Sequence, residues 1–234
     1  MGRSWIQGYK NEQAAKKGTI FTKLSKEISV AARLGGPDPA GNARLRDAIE
    51  EAKDSSMPRE NIERAIKKGA GLLEGQSYED VIYEGYGPHG VAVLIEALTD
   101  NRNRTVSELK TLFRDYSGNL GEMGSVNWMF NRVGIVEGTK SPLPQDLEGE
   151  AIEVGAQEVE GVGENKVGFT TDVGDLETVR TTLVARGWKI TLSEIGYAPK
   201  TPTQLADSDR KHVVEFLGAL SNHDDVRRVH AAIA

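Results

Sequence analysis

Two arginines and two asparagines alternate in the stretch Asn101, Arg102, Asn103, Arg104, between an apolar run and an amphipathic one. Guanidinium groups are rigid forks of N–H donors that match phosphate and carboxylate, and asparagine amides both donate and accept. Thr105 and Glu108 fit a Thr-x-x-Glu capping box, with Asp100 as a second candidate cap, so the arginines fall at or just before a helix N-terminus. The macrodipole disfavours a cation there by roughly 0.3–1 kcal/mol, whereas the free N–H groups welcome an anion. The pattern suits a phosphate or carboxylate from outside. Pairing with Glu96, Asp100 or Glu108 would make the same residues an ordinary solvated face, and the stretch alone leaves both readings open.

Two further features could bind an anion. The loop "YSGNLGEMGSVNW" carries Gly118, Gly121 and Gly124 with Asn119 and Ser125, and exposed backbone N–H groups in such a loop can form an anion nest. Glycines needed for turns on the way into a strand are the plainer alternative. The amino-terminal cations Lys10, Lys16, Lys17, Lys23, Lys26 and Arg33 form a basic run. Arg64, Lys67 and Lys68 close a helix, where the dipole favours cations without any ligand.

Charge distribution separates the chain into two parts. Of 234 residues, 29 are Lys or Arg and 35 Asp or Glu, a net charge of −6. Residues 1–75 hold 14 basic against 10 acidic residues, and the rest 15 against 25. A basic module on an acidic body implies a single-sided contact with polyphosphate. Catalytic signatures are missing. There is no cysteine, no Walker or dinucleotide glycine motif, no Gly-x-Ser-x-Gly elbow and no His-Glu-x-x-His. The four histidines lack metal-ligand spacing, and His223-Asp224-Asp225 reads as a turn rather than a cation site. An enzyme acting on a small anion through the same arginines would need a closed pocket. No metal or cofactor is expected. With no apolar run long enough to span a bilayer and no signal-peptide core, the expected location is the cytoplasm.

The elements that must position these residues follow from periodicity. Ile20, Phe21, Leu24, Ile28 and Ala31 mark one helical face between Thr19 and Leu34, stopped by Gly35-Gly36-Pro37. "NARLRDAIEEAKDSS" and "MPRENIERAIKKGAG" give two more helices, the last opened near Pro58 and closed by Gly69, and short connections predict a three-helix bundle. Residues 1–18 have no apolar period and read as an arm that orders on a partner. Beyond Gly75 the order is strand ("DVIYEGYG"), strand ("GVAVLIEALT"), helix, strand ("GSVNWMFNRVGIVEG"), an α+β pattern. After the break at "TKSPLPQDLEG" come a helix near Glu148–Val154, the strand "NKVGFTT", a helix on Leu176, Val179 and Leu183, and the strand "WKITLSEIGY". The tail adds a helix and a strand able to complete the first sheet, leaving residues from roughly 140 to 200 as an insertion.

Taken together, "GTIFTKLSKEISVAARLGGPDPAGNARLRDAIEEAKDSSMPRENIERAIKKGAG", "YEGYGPHGVAVLIEALTDNRNRTVSEL" and "GNLGEMGSVNWMF" closely resemble the YebC/PmpR family. The resemblance implies an α+β fold: an N-terminal three-helix bundle followed by two α/β domains, the third inserted into the second. The expected boundaries are an arm over 1–18, the bundle over 19–75, a discontinuous domain over 76–138 plus 203–234, and the insertion over 139–202. It further implies a non-catalytic regulator of gene expression that binds nucleic acid, as a DNA-binding transcriptional regulator. The alternative is a ribosome-associated translation factor that binds ribosomal RNA or tRNA and relieves stalling on proline-rich stretches. Expected contacts are Lys10, Lys16, Lys17, Lys23, Lys26, Arg33, Asn101, Arg102, Asn103 and Arg104, with Asn119, Gly121, Gly124 and Ser125 from the loop. The arm "SWIQGYKNEQAAKKG" is thinner in cations than the family's usual basic run, which implies modest affinity for plain duplex.

Overall fold

The computed structural model describes residues 17–74, 77–163 and 165–233. Lys10, Lys16 and the arm expected over residues 1–18 lie outside them, apart from the backbone of Lys17 and Gly18.

Among the described residues three helices come first: α1 (Lys17–Gly35), α2 (Ala43–Asp54) and α3 (Arg59–Gly69). Their inward faces carry Leu24, Ile28, Leu45, Ala48, Ala52, Ile62 and Ala65, all buried together. Asn42 fixes the first corner. Its side-chain oxygen caps α2 by accepting the Leu45 N–H at 3.1 Å, and its amide donates to the carbonyls of Ala31 and Gly36, both at 2.8 Å. At the third helix, Gly69 is required by packing: a Cβ there would lie 2.2 Å from the Ser29 carbonyl oxygen. Pro58 stands at the N-cap of α3.

Two antiparallel four-stranded sheets follow. The first takes β1 (Glu79–Tyr86), β2 (Ala92–Thr99), β3 (Asn119–Leu120) and β8 (Val226–Ala231) in the order β3-β1-β2-β8. Its central strand β2 is buried on both sides. On one side Val93 and Ile95 pack against Leu109 and Phe113 of α4 (Arg102–Asp115) and against Phe216, Leu217 and Leu220 of α7 (Asp207–Asn222). On the other, Ala92 and Leu94 meet Val126 and Phe130. The tail strand thus pairs with β2 and extends the first sheet.

The second sheet takes β4 (Phe130–Thr139), β5 (Glu158–Gly163), β6 (Lys166–Thr171) and β7 (Lys189–Pro199) in the order β5-β6-β4-β7. Its core joins Val136, Val167, Phe169 and Trp188 to α5 (Leu147–Val154) and α6 (Leu176–Ala185). The strand in "GSVNWMFNRVGIVEG", expected as the third of the middle domain, therefore belongs elsewhere: β4 pairs with β6 and β7. Its apolar content identifies a strand but carries no information on which sheet receives it. Strand β5 is not legible in the sequence, because Glu158, Glu160, Gly161 and Gly163 leave no clear apolar alternation.

Helix α4 begins one turn earlier than the capping box suggests. Asn101 is the cap, its side chain accepting the Arg104 N–H at 3.1 Å. Thr105 is instead wholly buried within the first turn, and Glu108 bonds to His223 rather than to a cap N–H. Asp100 pairs with Arg104 and does not cap.

Candidate nucleic-acid interface

The charge asymmetry of the chain is partly satisfied within the chain itself. From α1, Lys26 is 7% exposed and places its ammonium 2.6 Å from Asp225 Oδ1 and 2.9 Å from the Asp224 carbonyl. Lys23 donates to the Ser221 carbonyl, and burial lowers its pKa to about 8 despite the attraction of Asp224. Arg33, at the surface, donates to Ser77 Oγ and the Tyr78 carbonyl. These three cations bind the body of the protein, and Lys26 is not presented to solvent as a phosphate-gripping residue must be. The partners lie 198 or 199 residues away for both lysines, which is why the sequence did not reveal them.

Asp225 is the centre of this contact. Besides Lys26, it accepts from Arg104 Nη2 at 2.8 Å and from the Thr105 hydroxyl at 2.7 Å, and it is 2% exposed. Burial alone would raise its carboxyl, but the hydrogen bonds from Lys26, Arg104 and Thr105 outweigh that and hold it down to about 2. A chain of alternating charges runs alongside. Asp80 pairs with Arg44, Arg44 with Glu27, Glu27 with Arg227 and Arg227 with Glu96, while Arg228 pairs with Glu194 of β7. Glu96, which also accepts from His230, is likewise held down to about 2 against the opposing effect of burial. The bundle and both sheets are linked through it.

The pH dependence has a definite sign. Carboxylates whose folded pKa is depressed stabilise the fold above their unfolded pKa, and that stability is lost as pH falls through the folded value. Asp225 and Glu96, both held below the usual carboxylate range, therefore stabilise the fold at neutral pH. Melting temperature should hold near neutrality and fall steeply between pH about 4 and about 2. Thermal melts followed by circular dichroism check this, and Asp225→Asn should flatten the fall.

At the start of α4 the four predicted residues take different roles. Asn101 caps the helix, Arg104 joins Asp100 and Asp225, and Arg102 pairs with Glu79 at 2.6 Å across a surface where both side chains are more than half exposed. Asn103 is exposed. It starts a stripe with Ser107, Lys110 and Arg114, spaced to fall on one helical face, all exposed. Lys110 and Arg114 make no ion pair with another described residue. A cleft of about 650 Å³, lined by Thr22, Tyr78, Asp100, Arg104, Asn222 and Asp224 among others, lies between α1, α4 and the turn into β8.

The glycine loop does form a nest, and the anion in it belongs to the protein. Glu84 of β1 accepts from the backbone N–H of Gly124 at 2.7 Å and of Val126 and Asn127 at 2.8 Å. Burial opposes its ionised form, yet the three donors leave its pKa below the ordinary value. Gly121 donates to the Glu84 carbonyl, and a Cβ on it would meet Ser125 Oγ at 2.5 Å. Gly124 adopts φ +87°, which favours glycine. Ser125 Oγ is buried, and Asn119 is exposed. The N–H groups of Gly121 and Gly124 are therefore engaged internally, and the loop's outward surface is Glu122, Met123, Asn127 and Trp128 instead. Trp128 was not among the predicted contacts; an aromatic in a strand-like run gives no sign of exposure.

The histidines are less scattered in space than in sequence. His212 Nδ1 lies 3.4 Å from His89 Nε2. His223, Glu108 and Asp225 bring ligand-type atoms within 4.8 Å of one another, but Lys26 and Arg104 already occupy the Asp225 oxygens and would oppose a divalent ion. Among the described residues, no helix is long and apolar enough to cross a membrane.

A three-helix bundle joined by ion pairs to two antiparallel sheets, with an exposed basic helix, defines a three-module α+β protein built around charged interfaces. The chain belongs to the TACO1/YebC family: residues 2–72 match the TACO1/YebC protein N-terminal domain, and residues 78–233 the TACO1/YebC second and third domain. It is 53% identical, over the full length of both chains, to a probable transcriptional regulatory protein of Bdellovibrio bacteriovorus. A protein of the same description from Desulfosudis oleivorans is 48% identical over 97% of this chain and 92% of its own. The crystal structure of a conserved hypothetical protein from Aquifex aeolicus superposes with a TM-score of 0.85 at 46% identity, covering 94% of this chain and 91% of that one.

Proposed function

We propose that this protein is a non-catalytic regulator of gene expression that binds nucleic acid through the solvent face of α4. The observation that carries this reading is the stripe of Asn103, Ser107, Lys110 and Arg114, whose two cations lack a described ion-pair partner on an otherwise acidic body. Such cations attract phosphate, while the surrounding acids limit contact to one face. Arg102 can join them, because an exposed pair such as Arg102–Glu79 contributes little and yields to a stronger anion. A non-catalytic role fits the deep-set carboxylates Glu27, Glu96, Glu150 and Asp225: each is held by arginine or lysine. Groups held ionised in this way are poor proton donors near neutral pH.

The relatives' description as probable transcriptional regulatory proteins supports transcription as the process, and duplex DNA is the target a regulator of that process would meet. Trp128, 64% exposed, favours a second reading, a ribosome-associated factor that meets unpaired RNA bases. Gel shifts on duplex DNA and sedimentation of lysate at physiological salt separate the two. In whichever assay the wild type binds, K110E/R114E should weaken binding at least about tenfold with an unchanged circular dichroism spectrum. Full binding by that variant would refute the assignment of α4.

A further inference from the structure

We infer that the loop over residues 121–129 is a preorganised stacking site for an unpaired nucleobase, with Trp128 as the stacking ring. The inference rests on the nucleic-acid reading above and adds to the α4 contact a site for an unpaired strand.

The loop combines exposure with fixation. Met123 is 92% exposed and Trp128 64%, whereas Trp188 is buried at 3%. The two share one short loop, and apolar side chains clustered in this way mark binding sites more than singly scattered ones do. Here the backbone is tied at many points. Glu84 takes three N–H groups, the Tyr86 hydroxyl donates to the Ser125 carbonyl at 3.1 Å, and the Lys200 N–H donates to the Met129 carbonyl at 2.9 Å. The Trp128 indole N–H donates to the same Ser125 carbonyl at 3.1 Å, so the ring is oriented and its one polar group is satisfied. A base meeting it would neither have to order the ring nor desolvate an unpaired donor, and that lowers the cost of binding.

The local chemistry favours a nucleobase over a protein surface. Lys200 Nζ donates to the Trp128 carbonyl at 2.8 Å and keeps further N–H donors for a phosphate. Arg132 is exposed four residues on, and Asn127, the exposed chain neighbour of Trp128, carries an amide able to meet a base edge. Glu122 is the loop's only acid. Two apolar side chains fall well short of the roughly 800 Å² per partner of a stable protein interface, whereas one ring suffices for one base. A duplex keeps its bases stacked on each other and offers no free face to the indole.

The test titrates full-length protein with a fluorescein-labelled oligouridylate and, separately, with its duplex with oligoadenylate, reading anisotropy. Trp128→Ala should weaken single-strand binding about 5- to 150-fold and leave duplex binding unchanged, with Trp128→Phe recovering most of the loss. Lys200→Ala should flatten the single-strand salt dependence by about 0.7 of a unit of slope. Unchanged oligouridylate affinity in Trp128→Ala overturns the inference while the nucleic-acid reading stands, and so does an equal loss on both probes, which would make Trp128 a support of the fold. Loss of ribosome co-sedimentation with oligouridylate affinity intact would mark a protein-docking loop and overturn it too. A wild type that binds duplex but not oligouridylate defeats this inference alone, and one that binds no nucleic acid defeats both.

Discussion

Asp225→Ala is expected to destabilise the protein by about 3–5 kcal/mol and to loosen the helical bundle from the sheets. The reason is the asymmetry of a buried ion pair. Lys26 and Asp225 are 7% and 2% exposed, and removing the carboxylate leaves an ammonium enclosed without its counter-charge. Arg104 is partly exposed and can turn to water, and Thr105 retains the Asn101 carbonyl at 3.1 Å, so the cost concentrates on Lys26. Lys26→Met gives the contrast: it removes the charge along with the donor, while Arg104 and Thr105 still satisfy Asp225. Its cost should be less than half that of Asp225→Ala. Chemical denaturation measures both, and limited proteolysis near residues 70–78 reports detachment of the bundle. Equal costs for the two variants would show that the contact is not governed by charge burial.

Glu84→Ala should cost about 3 kcal/mol or more and convert the loop that carries Trp128 from fixed to mobile. Glu84 is the acceptor for three backbone donors at once, and the Val126 N–H lies in a residue with no exposure. No other acceptor for these three N–H groups is described, so the buried donor would be left without a partner, while Gly124 and Asn127 could turn to water. Glu84→Gln retains one acceptor oxygen and should fall between wild type and alanine. Hydrogen exchange at Gly124, Val126 and Asn127, together with the melting temperature, reads the outcome. Unchanged exchange in the alanine variant would mean that packing of Val126 and Phe130 holds the loop without the carboxylate.

These two positions also mark the limit of what the sequence discloses. Local regularities were legible. The α1 face of Leu24, Ile28 and Ala31, the stop at Gly35-Gly36, and the helices over Ala43–Asp54 and Arg59–Gly69 all follow from apolar spacing and terminators. That Arg102 and Arg104 fall at or just before a helix N-terminus is legible too; that both lie inside its first turn, behind the Asn101 cap, is not. Asn101 and Thr105 are both cap-type residues one turn apart, and the Thr105 hydroxyl is claimed by Asp225, 120 residues away. Long-range electrostatics left no local trace: Lys26 is answered from 199 residues on, and the nest of the glycine loop by a glutamate about 40 residues earlier. The apolar pattern of β4 shows that it is a strand and does not show that it joins the second sheet.

Two cations of α1 and two of α4 carry the same charge in opposite circumstances. In α1, Lys23 and Lys26 are turned to the body, whereas in α4, Lys110 and Arg114 are exposed and unpaired among the described residues. The difference is measurable as the salt dependence of nucleic-acid binding, compared among wild type, Lys26→Met and K110E/R114E. Each phosphate contact contributes roughly 0.7–0.9 to the slope of log affinity against log salt. K110E/R114E should flatten the slope by nearly two such contacts and weaken binding, while Lys26→Met should match the wild type. A flattened slope in Lys26→Met with an unchanged one in K110E/R114E would contradict the assignment and return the binding surface to the amino-terminal helix.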